Sequence, residues 1–392
     1  MTKEKRTTFL LCAKIAVLAL GCLLLLAGLV GGTLYFLLSL RHAGYALAIN
    51  SYIAAFVALT LPLGAMLAYQ AIRSLLGHPS GEFHLPPPWL ALIPFVVGIV
   101  GGRVSLSSSS ASLSFPLFHI LAAASPAVAV LALVARRLRT GAESSGARSP
   151  SWREMVLEIA HGALLAPPLV AILEILFFAI LALAIGLGIG LTPQGASWLR
   201  ELAKNLATPG WVEEPANLWG ILRSPPILLM VMMGVVVVAP LIEELLKASG
   251  VLLLSYRRPT RAQAFAWGIA CGAGFAVAEN LFNGIALPSD WGATMLVRAG
   301  ATLVHCLGGG LMGMGWHYAF AARQIHCWVG SYLASVGFHS LWNLLALGVM
   351  GTTLLSTTIS GLVMALLIAL LALVALSAGL IIHYLAGKVS AP

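Results

Sequence analysis

Two adjacent glutamates, Glu243 and Glu244, stand with Lys247 in the middle of an apolar run, VVVVAPLIEELLKASGVLLL. The next three apolar segments carry Glu279 with Asn280, Arg298 with His305, and His339 with Asn343. Carboxylates and imidazoles take, hold and return protons, and they also ligate metals. Such a set suits hydrolysis, which needs an activated water, a partner for the oxyanion and a proton donor to the leaving group. The apolar surroundings sharpen the signal. A charge at mid-bilayer costs roughly 2.5–3.5 kcal/mol on insertion scales, and such residues face a bundle interior. The charges of Glu243, Glu244, Lys247, Glu279 and Arg298 would together cost on the order of 10 kcal/mol unpaired, so they must meet one another, water or a metal.

Spacing indicates how they could meet. Glu243 and Lys247 are one helical turn apart, so an intrahelical ion pair is available to them. Glu244 points about 100° away and is the less committed of the two glutamates. Arg298 and His305, seven apart, lie on nearly the same face over two turns. His339 and Asn343 are again one turn apart, so Asn343 could orient the imidazole or bind the same ligand. Pro240 lacks a backbone donor and should kink its helix just before the glutamates. Small-residue steps at Gly268/Gly272 and Gly309/Gly313 allow two helices to approach closely. Each feature alone has a plainer reading. Glu243, Glu244 and Lys247 could be an ion pair that only fixes helix register. His119 and His383 are expected to hydrogen-bond to a neighbouring helix, Glu174 is expected to be structural, and Glu158 and His161 need no special role. Four successive helices each bearing a polar pair are harder to explain by packing.

Counting removes several chemistries. Asp290 is the sole aspartate and lies in a loop, so a two-aspartate intramembrane protease is impossible. No histidine is followed by glutamate, which excludes the HExxH zinc motif. No GxSxG elbow and no phosphate-binding glycine loop occur. Glutamate and histidine chemistry remains, with or without a metal.

The elements that must position these residues are membrane helices. Of 392 residues, 60% are hydrophobic and 9% charged, against roughly a quarter charged in soluble domains. The apolar runs are continuous and rich in Leu and Ala, which disfavours a β-barrel. An all-α bundle of about ten spans follows, at 9–40, 45–76, 88–106, 114–136, 155–191, 226–255, 262–287, 294–322, 326–349 and 352–386. The first run is far longer than a signal-peptide core and is kept as a span. Arg73, Arg136, Arg137, Arg139, Arg148, Arg153, Arg257, Arg258, Arg261, Arg323 and Lys388 all lie at or beyond the ends of even-numbered spans. The positive-inside rule therefore predicts both termini in the cytoplasm. The loop at 192–225 carries Arg200, Lys204 and Arg223, balanced by Glu201, Glu213 and Glu214. The net charge of +9 is thus a topology signal, and no nucleic-acid partner is expected. Five cysteines without a CxxC pair read as apolar fillers. The polar stretch 136–153 divides a four-span N-terminal part, 1–150, from a six-span part, 151–392. Within the loop 192–225, Trp198, Leu199, Leu202 and Leu206 share one face, as in a helix lying on the outer membrane surface or capping the bundle.

E-E-x-x-K at Glu243–Lys247, F-x-x-x-E-N at Phe275–Asn280, R-x6-H at Arg298–His305 and H-x-x-x-N at His339–Asn343 resemble the four motifs of PrsW-type intramembrane proteases. They look more distantly like the type II CAAX protease superfamily, which typically has histidine where Glu279 stands. The resemblance covers about 226–349 and implies peptide-bond hydrolysis in or next to the lipid bilayer. It implies a membrane-anchored protein substrate, of the anti-sigma-factor kind, cut near the outer face of a bacterial cytoplasmic membrane. Glu243 or Glu244 would be the general base, with Glu244 favoured because Lys247 is placed to hold Glu243. His305, His339 and Glu279 could hold one Zn2+ with water in the open position. Alternatively, the histidines and Asn343 hold the oxyanion without metal. The competing classes are an ion- or proton-coupled transporter and an inactive scaffold. Transporters often show inverted repeats, whereas the polar residues here sit in one half. The sequence assigns no oligomeric state.

Overall fold

A computed structural model describes residues 3–40, 46–145, 149–211, 214, 217, 220–221, 224–255, 258–285, 290–352 and 357–389. Arg148, Glu213, Arg223 and Arg257, used above in the charge argument, lie outside the described residues. Among the described residues the structure is predominantly helical, and the β-structure is one isolated bridge between Glu82 and Ser151.

The helices are α1 (Lys3–Ser39), α2 (Ala46–Leu75), α3 (Leu92–Leu106), α4 (Ala111–Ser145), α5 (Trp152–Ala160), α6 (Ala166–Gly190), α7 (Pro193–Leu206), α8 (Pro225–Met232), α9 (Ala239–Lys247), α10 (Gly250–Leu254), α11 (Arg261–Asn283), α12 (Trp291–Phe320), α13 (Ile325–Gly351) and α14 (Thr357–Val389). Among the described residues they make ten segments long and apolar enough to cross a membrane, one for each expected span. Two starts are fixed by reciprocal capping, Ser151 with Glu154 and Thr260 with Gln263, which satisfies backbone donors that a helix end leaves open.

Two spans are interrupted by π turns, at His161–Leu165 and Met233–Val238. Both precede prolines. Pro240 cannot donate to the carbonyl four residues back, which belongs to Val236 inside the second π turn, and Pro167 and Pro168 stand likewise after the first. The kink expected at Pro240 is thus absorbed in a widened turn just ahead of the glutamates.

The core is built on α11 and α12. Gly268 and Gly309 lie so close that a Cβ on either would overlap the other's carbonyl oxygen, and a Cβ on Gly272 or Gly313 would overlap the carbonyl of His305 or Ala264. The glycine steps therefore bring these two backbones into contact, as small residues do in lipid-embedded bundles. Helix α4 joins this core. His119 accepts from Trp291 Nε1 at 3.0 Å, and its Nε2 lies 3.0 Å from the Leu281 carbonyl, the neighbouring-helix role expected of it. Arg137 likewise meets His383 of α14. Large apolar side chains of α1, α3, α6 and α14 face outward, where lipid would cover them. Helix α7 is amphipathic, with Trp198, Leu199 and Leu202 half-buried and Arg200, Glu201 and Lys204 exposed; Leu206 is exposed as well.

Candidate active site

Helices α9, α11, α12 and α13 bring the four polar pairs together. Lys247 and Glu244 are completely buried. Their ion pair is the one that forms: Lys247 Nζ donates to Glu244 Oε1 across i,i+3. The expected Glu243–Lys247 pair is replaced because Glu244 points into the bundle, where His339 Nδ1 also donates to Oε1 at 2.8 Å. The lysine follows that inward carboxylate. Gly308 of α12 makes the space, since a Cβ there would overlap the Glu244 carboxylate.

Glu243 is correspondingly the less committed of the pair. Its Oε2 has no hydrogen-bond partner among the described residues. It lies 4.0 Å from His305 Nδ1 and 3.8 Å from His339 Nε2. The two imidazoles meet nearly edge to face, with ring centroids 4.8 Å apart. Glu243, His305 and His339 present one ligand atom each within 4.8 Å of one another, a buried group that could hold a metal ion.

Glu279 stands behind that group. Its Oε2 is 2.8 Å from His305 Nε2 and 2.7 Å from an Arg298 nitrogen. Arg298 Nε donates to Asn280 Oδ1 at 2.8 Å, and Asn280 Nδ2 donates to Thr302 Oγ1 at 3.0 Å and to the Ala123 carbonyl at 3.1 Å. This chain ties the site to α4, a link absent from the motif spacings. Asn343 does not bond to His339. Its Nδ2 donates to the Val235 carbonyl at 2.9 Å, inside the second π turn. The widened turn leaves that carbonyl open, and Asn343 closes it.

The arrangement meets the requirements of a metal centre in two respects. Each histidine has its far nitrogen against a carboxylate, His305 on Glu279 and His339 on Glu244. Such partners fix the tautomer that turns the near nitrogen's lone pair toward Glu243; on His339 that lone pair is open, and on His305 a metal would displace the Lys247 ammonium from it. Counted as ionised, Glu243, Glu244 and Glu279 outweigh Lys247 and Arg298 by one negative charge, so the buried cluster has room for added positive charge. Lys247 Nζ lies 3.2 Å from His305 Nδ1 and 5.6 Å from the Phe275 ring, which places a fixed cation beside the same lone pair.

Exposure gives the site a direction. Glu244 and Lys247 are sealed, whereas the Glu279 and Arg298 side chains are 23% and 17% exposed. The cluster therefore opens on the Glu279 side. Residues that spacing did not single out include Gly308, Thr302 and Tyr332, whose hydroxyl donates to the Leu241 carbonyl at 2.8 Å. Glu158 accepts from the Cys271 thiol at 2.9 Å, and His161 Nε2 lies 3.1 Å from Ser249 Oγ, away from the four motifs.

Residues 180–376 match the family model described as PrsW family intramembrane metalloprotease. That is half of the chain, and it includes every residue of the four motifs; the first four spans lie outside it. No curated protein and no solved structure matches the chain.

Proposed function

The chain belongs to the PrsW family of intramembrane metalloproteases, and from this premise we propose that it hydrolyses membrane-anchored regulatory proteins of the anti-sigma-factor kind, using a Zn2+ held by Glu243, His305 and His339. Its setting is a bacterial cytoplasmic membrane with both termini inside. Residues 151–392 form the catalytic part, and residues 1–150 form a flanking membrane region. One observation carries the reading: two imidazoles, each backed by a carboxylate, turn their near nitrogens toward a glutamate oxygen that has no other partner. Three Glu/His ligands with an open fourth position are the usual donor set of a catalytic zinc. When bound, such an ion polarises the scissile carbonyl and lowers the pKa of water.

The remaining side chains have distinct tasks. Glu279 and Glu244 orient the histidines, and Arg298 and Lys247 balance those carboxylates. Glu244, favoured by spacing as the general base, is held by two donors, so Glu243 is the carboxylate of the pair left to bind the metal. Lys247 supplies a preorganised positive charge where an oxyanion develops, which costs no reorganisation during reaction. Asn280 anchors Arg298 to α4, and Asn343 anchors the turn that leads into Glu243.

The test is cleavage of single-span reporters by purified protein in proteoliposomes, with metal measured on the same samples. Glu243→Gln, His305→Ala and His339→Ala should each abolish cleavage and lower bound zinc below one per chain. Full cleavage by all three would sink the site; zinc absent from active wild-type protein would remove the metal from it.

A further inference from the structure

Glu174 lies on α6, before the residues that match the family model. From the sequence it is an isolated carboxylate with a structural part. Its surroundings give it another. Val170, one turn before it, is buried against Phe275 of α11 and Ile242 and Leu246 of α9. Phe178, one turn after it, has its ring where a Cβ on Gly234 would stand. Residues one turn apart share a helix face, so Glu174 sits on the face that α6 turns to the catalytic helices.

The level is fixed as well. Helices α6 and α11 belong to the fifth and seventh spans and run in the same direction. Val170 packs on Phe275, whose ring centroid is 5.4 Å from that of His305. One turn further along both helices come Glu174 and Glu279. The two residues therefore stand at one level on neighbouring helices, at the side where the site is open. Glu244 and Glu279 have basic partners, and Glu243 faces the histidines. Glu174 has none of these. Its Oε1 is buried and lacks a hydrogen-bond partner among the described residues.

A carboxylate oxygen in an apolar helix without a donor is costly, and what passes through the opening is the substrate. A peptide segment unwound for cleavage exposes backbone N–H groups that find no water in a bilayer. We propose that Glu174 accepts a hydrogen bond from an N–H group of the substrate beside the scissile bond, and so acts as a substrate-contacting residue on the helix that borders the opening. This rests on the proteolytic reading above. The donor is either a backbone N–H or the side chain of a substrate lysine or arginine.

The experiment uses full-length protein in nanodiscs and two single-span reporters, each with a Leu/Ala segment of about 20 residues. Both carry a Gly–Ser break, and one has a lysine next to it. Binding is read by fluorescence transfer in a Glu243→Gln background, and KM and kcat are read in the otherwise wild-type enzyme. Glu174→Ala should weaken binding and raise KM about tenfold or more, the size of one charge-assisted hydrogen bond. It should leave kcat within about twofold, and zinc content unchanged. Glu174→Gln keeps an acceptor oxygen. It should recover most of the loss on both reporters for a backbone donor, and none on the lysine reporter for a side-chain donor. Unaltered binding and KM in Glu174→Ala would overturn the proposal, as would a fall in kcat at constant KM or a loss of zinc. Because binding is read in the Glu243→Gln background, binding there that depends on Glu174, with no cleavage by the wild-type enzyme, would refute proteolysis and leave the Glu174 contact standing.

Discussion

Lys247→Met separates the observed pairing from the one that helical spacing suggests. Methionine nearly fills the lysine's volume but leaves the Glu244 carboxylate with the His339 N–H as its remaining donor. Both members of the ion pair are wholly buried. Removing one partner of such a pair costs about 3–5 kcal/mol, because the other charge stays behind uncompensated. Replacing both partners removes the stranded charge, and apolar or neutral replacements of buried pairs are often close to neutral. Glu244→Gln/Lys247→Met should therefore recover about 2–3 kcal/mol relative to Lys247→Met, a coupling within the range measured for contacting residues. Glu243→Gln/Lys247→Met should recover little. The assay is reversible unfolding in mixed micelles titrated with a denaturing detergent, run on wild type, the three single variants and the two double variants. Equal stability of Lys247→Met and wild type would refute the buried-charge argument. Rescue by Glu243→Gln in place of Glu244→Gln would refute the geometry.

Other substitutions probe the supports. Arg298→Gln removes the charge that holds Glu279 against His305 and should weaken zinc binding about 10–100-fold, measured by competition with a chelating dye; unchanged affinity would mean that Glu279 needs no holding. Gly308→Ala places a methyl where the Glu244 carboxylate stands and should cost about 1–3 kcal/mol along with cleavage, whereas the exposed-position control Gly361→Ala should cost neither. Asn343→Ala should destabilise by about 1 kcal/mol through the Val235 carbonyl while zinc content holds; zinc loss would return Asn343 to the histidine.

The number of spans and the convergence of the polar pairs were legible because both follow from transfer energetics. Long apolar runs must cross, and charges within them must converge. The glycine contact between α11 and α12 was legible for a similar reason, since small residues at four-residue spacing have few other uses in lipid. Partner choice within the cluster was not. Lys247 can reach Glu243 at i,i+4 or Glu244 at i,i+3, and what decides is His339, almost a hundred residues away. The π turns were also hidden. Hydropathy is blind to one extra residue per turn, and Pro240 signals a disturbance without its form. The surroundings of Glu174 were hidden as well, because its relation to Glu279 depends on which helices lie side by side.

The π turn at Met233–Val238 bears on how this span is compared with those of other chains. A π turn holds one residue more than the α-helical turn it replaces, and is equivalent to a single insertion. Removing one residue there would rotate everything beyond it by about 100°, turning Glu243 from the histidines and carrying Glu244 out of its bond with His339. A related sequence with an unbroken helix would then align with this one only if a one-residue gap were opened before the glutamates. An ungapped comparison would pair Glu243 with its neighbour's counterpart and give the two carboxylates each other's roles.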